Sequence, residues 1–163
     1  MNKTILLIVL TTLSLLLVSC VDYSDYKNVK IPDDNIGNVK IPKHWEFEVI
    51  DGWIQIVDIE KDEIIGVQWL KGLYYYVGTD LHDERSFNPY FNEYERTESD
   101  LMSGNSNGAQ WGHHTWKIDN VTFKYRFLLF IGSEDSSYEI QIILFDDTIE
   151  DNVLSNIAKS YKK

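Results

Sequence analysis

The chain has 163 residues, room for one ordinary domain, and 15 Lys+Arg against 26 Asp+Glu give it a formal charge of −11. At 44% hydrophobic and 13% aromatic it has ample apolar surface to bury, which excludes disorder throughout. With 3 Pro, 9 Gly and 1 Cys, collagen-like, low-complexity, disulfide-stapled and cysteine-ligated zinc designs are excluded as well.

Lys3 is followed by an apolar run from Ile5 to Val18. That is the order of charge and hydrophobic core in an export signal. As a helix the run would reach about 21 Å, short of a hydrocarbon layer of about 30 Å. A permanent transmembrane helix is therefore the poorer reading. Leu17-Val18-Ser19-Cys20 resembles the lipobox of bacterial lipoprotein precursors. The resemblance implies a signal peptide over 1–19, cleavage before Cys20, and a diacylglyceryl group on its thiol. Two acyl chains at one residue meet the requirement for stable anchoring. The implied location is the extracytoplasmic side of a bacterial cell membrane, the membrane itself being one partner.

Residues 20–43 read as the lipidated cysteine and a flexible tether, rich in Tyr, Asp, Lys and Asn and without a sustained period. The stretch holds an identical pentapeptide repeat, Asn28-Val29-Lys30-Ile31-Pro32 and Asn38-Val39-Lys40-Ile41-Pro42. Two copies are too few for a solenoid, so a duplicated linker is expected; competition of the copies for one edge-strand position is the alternative. A tether of this length would reach roughly 25 to 30 Å. Its charges cancel, leaving the whole deficit, −12, to residues 44–163. An acidic body is repelled by phosphate backbones and anionic headgroups, so nucleic acid is not an expected partner and the domain should stand off its membrane.

Residues 44–163 read as a single globular domain. Trp45-Glu46-Phe47-Glu48-Val49 alternates with period two, and Asp51-Gly52 is a hairpin signal before the run from Trp53 to Ile59. A third strand follows over 64–70, and Tyr74, Tyr75 and Tyr76 make the next segment strand-prone. Asn88 before Pro89 suggests an N-cap and first helical position, so a short helix is expected within 80–100, with Phe87, Phe91 and Tyr94 on one face. Residues 103–108 read as a polar loop. Strands from Thr115 and from Val121 then meet across Asp119-Asn120, a third runs over 138–145, and Val121, Phe123, Tyr125 and Phe127 line one face.

Ile149, Val153, Leu154, Ile157, Ala158 and Tyr161 fall at helical spacing, with Asp147 a candidate cap. The expected fold class is α+β, a mostly antiparallel sheet with a C-terminal helix packed on it. The Ile41-Pro42-x-x-Trp45 opening, the meander, the Asp119-Asn120 hairpin and the closing Ile157-Ala158-Lys159-Ser160-Tyr161 helix together resemble the PsbP/Mog1-like group over residues 41–163. The resemblance implies an antiparallel sheet flanked by helices and a role mainly in binding proteins.

Catalytic patterns are present only in fragments. Gly104-Asn105-Ser106-Asn107-Gly108 matches G-x-S-x-G, but no buried strand precedes it, no helix follows, and no histidine lies beyond His114. Asp58, Glu60 and Asp62 begin like a calcium loop that Glu63 and Trp69 then break. His113 and His114 would point to opposite faces of a strand, and His44 and His82 lack partner spacing. Glu46 and Glu48 sit at a glycosidase-like separation of about 6.6 Å, yet solvent-facing alternation explains both. No catalytic residue, metal or cofactor is assigned. Trp69, Tyr74, Tyr75 and Trp111 lie near Gly-rich turns and form the candidate ligand-binding platform, for sugar or peptide. The functional expectation is a non-catalytic binding domain for a neutral or cationic envelope protein or glycan. A cell-envelope hydrolase and a carbohydrate-binding module are the alternatives.

Overall fold

The computed structural model describes residues 21–77, 80–91, 97–132 and 138–163, with side chains except at 74–77, 80–83 and 97. The proposed signal segment with Cys20 therefore lies outside the described residues, as do Tyr94 and the side chains of Tyr74 and Tyr75.

The chain runs through β1 (Tyr26–Lys30), β2 (Asn38–Pro42), β3 (Trp45–Ile50), β4 (Trp53–Asp58), β5 (Glu63–Val77), β6 (Asp80–Asp83) and β7 (Ser86–Phe87). A 3-10 turn at Pro89–Phe91 leads to β8 (Thr97–Ser106), β9 (Ala109–Ile118), β10 (Val121–Ile131), β11 (Tyr138–Leu144) and α1 (Asp151–Ser160). Seven strands form the main sheet in the order β3-β4-β5-β11-β10-β9-β8, and β6 and β7 pair with the far half of β5. Every pairing is antiparallel. The fold is α+β, a mostly antiparallel sheet with one C-terminal helix packed on it.

Hairpin chemistry sets the registers. Asp51 and Gly52 both take positive φ, 52° and 81°, as do Asn107 and Gly108 at 54° and 84°; these are the left-handed conformations a two-residue loop needs to match strand twist. Asp119, at 52°, turns β9 into β10.

Alternation then divides the sheet into two faces. On the helix face, Leu128, Phe130, Ile140, Ile142, Leu144, Trp111, Ile54 and Ile56 pack against Leu154, Ile157 and Ala158 of α1 and Tyr161 just beyond it. On the opposite face, here the open face, Trp69, Leu70, Trp116, Phe127 and Ile143 make a second, smaller core.

Residues 21–43 differ from the expected tether. β1 and β2 form a two-stranded sheet in which the repeat pairs with itself, and Ile31, Ile36, Val39 and Ile41 enter the helix-face core. The apolar period exists, Val29/Ile31 and Val39/Ile41, but each strand is only five residues long and both prolines sit at strand ends. A composition-based reading misses so short a signal. The hairpin is tied down by Lys40 N–H, which donates to Ser160 Oγ at 2.7 Å, and by a bridge between Asn38 and Lys162.

Three smaller expectations change. The helix expected within 80–100 is, among the described residues, one 3-10 turn, opened by Asn88 Oδ1 accepting from Tyr90 N–H. Residues 103–106 belong to β8 instead of a loop. Their polarity reflects an edge strand, and Gly104 leaves room for the Trp111 ring, which a Cβ there would meet at 2.4 Å. At α1 the N-cap is Glu150, without a side-chain cap bond, while Asp146 Oδ1 accepts from the N–H and hydroxyl of Thr148.

Candidate functional site

The open face is built from alternate residues of β9 and β10, widened by a bulge in β5. Gln141 pairs with Leu70 but Ile142 pairs with Gln68, so Trp69 is the extra residue, and Trp69 and Leu70 both join the open-face cluster. Asn88 holds the bulge: its N–H donates to Trp69 O at 2.9 Å and its Nδ2 to Gln68 O at 3.0 Å. The following turn lays Phe91 against Trp69 and Trp116, with ring centroids 5.5 and 5.1 Å away. Trp116 continues the layer to Tyr125 at 5.0 Å, and Tyr125 to Phe145 at 6.2 Å.

Polar groups are set into this aromatic layer. His114, 1% exposed, donates from Nδ1 to Asp100 Oδ1 at 2.5 Å, and Gln141 Nε2 donates to Asp100 Oδ2 at 3.1 Å. The Asp100 side chain is 45% exposed. His114 Nε2 is buried with no hydrogen-bond partner among the described residues. A carboxylate-oriented imidazole is what a general base requires, but a nucleophile must also lie within reach. Ser106 does not. It pairs with Ala109 while Asp100 pairs with His114, about 17 Å apart along the strand. Its G-x-S-x-G context is a β8–β9 hairpin rather than a strand-to-helix elbow.

The expected platform does not assemble. Trp69 and Trp111 are 1% and 8% exposed and lie on opposite faces, one in each core, because large rings on a two-sided sheet bury more area inward than they could at the rim. The backbones of Tyr74 and Tyr75 pair with Asp83 and His82. Asp58 is buried, its Oδ1 accepting from the N–H groups of Glu60 and Lys61, so it shapes a turn. Glu46 pairs with Lys27 at 3.0 Å across a shallow cleft of about 290 Å³ lined also by Val29, Lys30, Pro32 and Phe47. His113 and His114 do face opposite ways, since they pair with Arg126 and Tyr125 of β10. Among the described residues no group of three His, Cys, Asp or Glu could hold a metal ion, and no helix is long and apolar enough to cross a membrane.

What sequence reasoning missed is that one end of the open face is uncovered. Ile64 (48%), Val121 (55%), Phe123 (40%) and Phe145 (40%) are exposed there beside half-buried Tyr125. They are neighbours: Phe123 and Tyr125 alternate along β10, the Tyr125 ring touches Phe145, and Phe145 N–H donates to Ile65 O next to Ile64. The row Val121-Phe123-Tyr125-Phe127 was legible as a face; the hint that its start is wet is the acidic residue preceding it, Asp119, and the Asp146-Asp147 pair after Phe145. No family model, curated protein or solved structure matches the chain.

Proposed function

We propose that this chain is a bacterial lipoprotein whose domain is a non-catalytic binding module, anchored through acylated Cys20 and presenting its open face to an envelope partner. The observation that carries the reading is the uncovered row Val121, Phe123, Phe145 and Ile64, gathered at one end of the open face, since exposed contiguous apolar area on a small domain marks an interaction surface. The resemblance of residues 41–163 to the PsbP/Mog1-like group points the same way.

The order of residues 21–25 bears on how such a domain would be held. Tyr23 Oη donates to Asn156 O at 3.0 Å, the Lys40 ammonium sits 4.2 Å over the Tyr23 ring, and Lys43 N–H donates to Asp25 O at 2.9 Å. An acyl-Cys20 three residues before Tyr23 would lie within about 11 Å of the Tyr23 backbone, whose ring reaches α1. The layer of α1 and the β1–β2 hairpin then lies nearest the lipid, the open face turns outward, and the long stand-off expected of a tether is lost.

Intact mass and fractionation test the anchor. The native chain should begin at Cys20 and carry the acyl mass, and Cys20→Ala should leave the membrane fraction; a chain that keeps its initiator Met unmodified overturns the reading.

A further inference from the structure

We propose that the uncovered end of the open face docks a cationic segment of an envelope protein that also bears apolar side chains. The inference rests on the binding-module reading and adds the chemistry of the partner. The apolar row lies where β5 and β10 begin and β11 ends, and the turns at this end carry acids: Asp62 before β5, Asp119 before β10, and Asp146 and Asp147 after β11, while Glu63, paired with Asp58, alternates onto the helix face. Hydrogen bonds from the hydroxyl and N–H of Thr148 lower the Asp146 pKa, which keeps that carboxylate ionised. Few cations offset them. Lys61, 3.7 Å from Asp58, also acts on Asp146, and Lys117 and Lys124 alternate onto the helix face, so the acids outnumber the lysine that faces them.

This charge pattern selects among occupants. A second copy would bring the same carboxylates against one another, and like charges juxtaposed across an interface oppose association. Nucleic acid and anionic lipid are repelled for the same reason. A neutral glycan would use the rings but gain nothing from the acids in the flanking turns. A basic, apolar-bearing protein surface satisfies both parts: Phe123 and Phe145 supply the desolvated centre, the carboxylates the rim.

The test uses the full chain and three synthetic peptides: alternating Lys and Leu, alternating Lys and Ser, and alternating Glu and Leu. The Lys/Leu peptide should bind most tightly, and added salt should weaken it. The double variant Phe123→Ser/Phe145→Ser should lose about tenfold or more in affinity at unchanged net charge, and Val121→Ser, at the most exposed position, should lose affinity with little risk to folding. Asp119→Asn/Asp146→Asn should flatten the salt dependence. Cys20→Ala should bind like the parent, so failure of the anchor and failure of the docking face are read separately. Equal binding by the Phe variant, equal binding of Lys/Ser or Glu/Leu, or a dimer that Phe123→Ser dissociates would overturn the proposal. So would Trp quenching by a neutral envelope glycan that the Phe variant abolishes while no peptide binds.

Discussion

Val29 stands directly opposite Val39 in the β1–β2 ladder, so the two copies of the pentapeptide pair about a local two-fold, with Asn28 facing Lys40 and Lys30 facing Asn38. The symmetry ends at the backbone. Val39 is fully buried, whereas Val29 is only partly covered. Ile41→Ala should therefore cost about 2–5 kcal/mol and Val29→Ala roughly 1 kcal/mol by urea denaturation. Two equally negligible losses would mean that the hairpin is no part of the folded body.

Gly37→Ala should be disruptive although no turn conformation demands glycine there. An added Cβ would lie 1.8 Å from Lys162 O, the atom that accepts from Asn38 N–H. A loss of about 1–3 kcal/mol is expected, with faster amide exchange at Asn38 and Lys162. Unchanged exchange would contradict the contact.

Removing the Asp100 carboxylate should unsettle the aromatic layer. Asp100→Ala leaves His114 Nδ1–H buried without its acceptor and Gln141 Nε2 without its own, at a cost of about 1–3 kcal/mol. Because Trp69 and Trp116 flank the imidazole at 6.1 and 5.5 Å, Trp emission should shift too. The same change in a His114→Phe background should cost less; an equal cost in both backgrounds would show that the pair is not coupled.

Stability should fall in alkali, in part through one tyrosine. Burial, then the hydrogen bond to Asp33, push Tyr138 up to about 12 from an ordinary value near 10. A raised folded pKa means the contribution is complete below pH ~10 and disappears as pH climbs through ~12. Burial raises Tyr23, Tyr125 and Tyr161 as well. Tyr138→Phe should lower stability at pH 8 and make the decline between pH ~10 and ~12 shallower. A parallel decline in both proteins would rule Tyr138 out as a contributor.

The sheet and its closing helix were readable because their signals are long: Val121–Ile131 alternates over many residues, and the pair Val153-Leu154 recurs four residues on as Ile157-Ala158. The β1–β2 hairpin was not, because five-residue strands gain their stability from Leu154, Ile157 and Tyr161 far along the chain, not from their own pattern. Trp69 shows the same limit. Its place near Gly-rich turns suggested an escaping ring, but whether a ring leaves the core depends on the bulge and on Asn88, twenty positions from Gln68, neither visible locally. The uncovered row at Phe123 was hidden for a related reason: periodicity marks a face as apolar and cannot say what lies over it.

Tyr161 gives the helix-face core a keystone. Its ring is 1% exposed against Phe130, its hydroxyl donates to Ile131 O, and the next residue bridges to Asn38. The opening hairpin and the final turn of helix thus shelter one another. A nascent chain lacking residues 151–162 has nothing to seat Ile31, Val39 and Ile41 against, so compaction must await the emergence of those residues. Any pause in synthesis before that point would leave the hairpin's apolar side chains unsheltered.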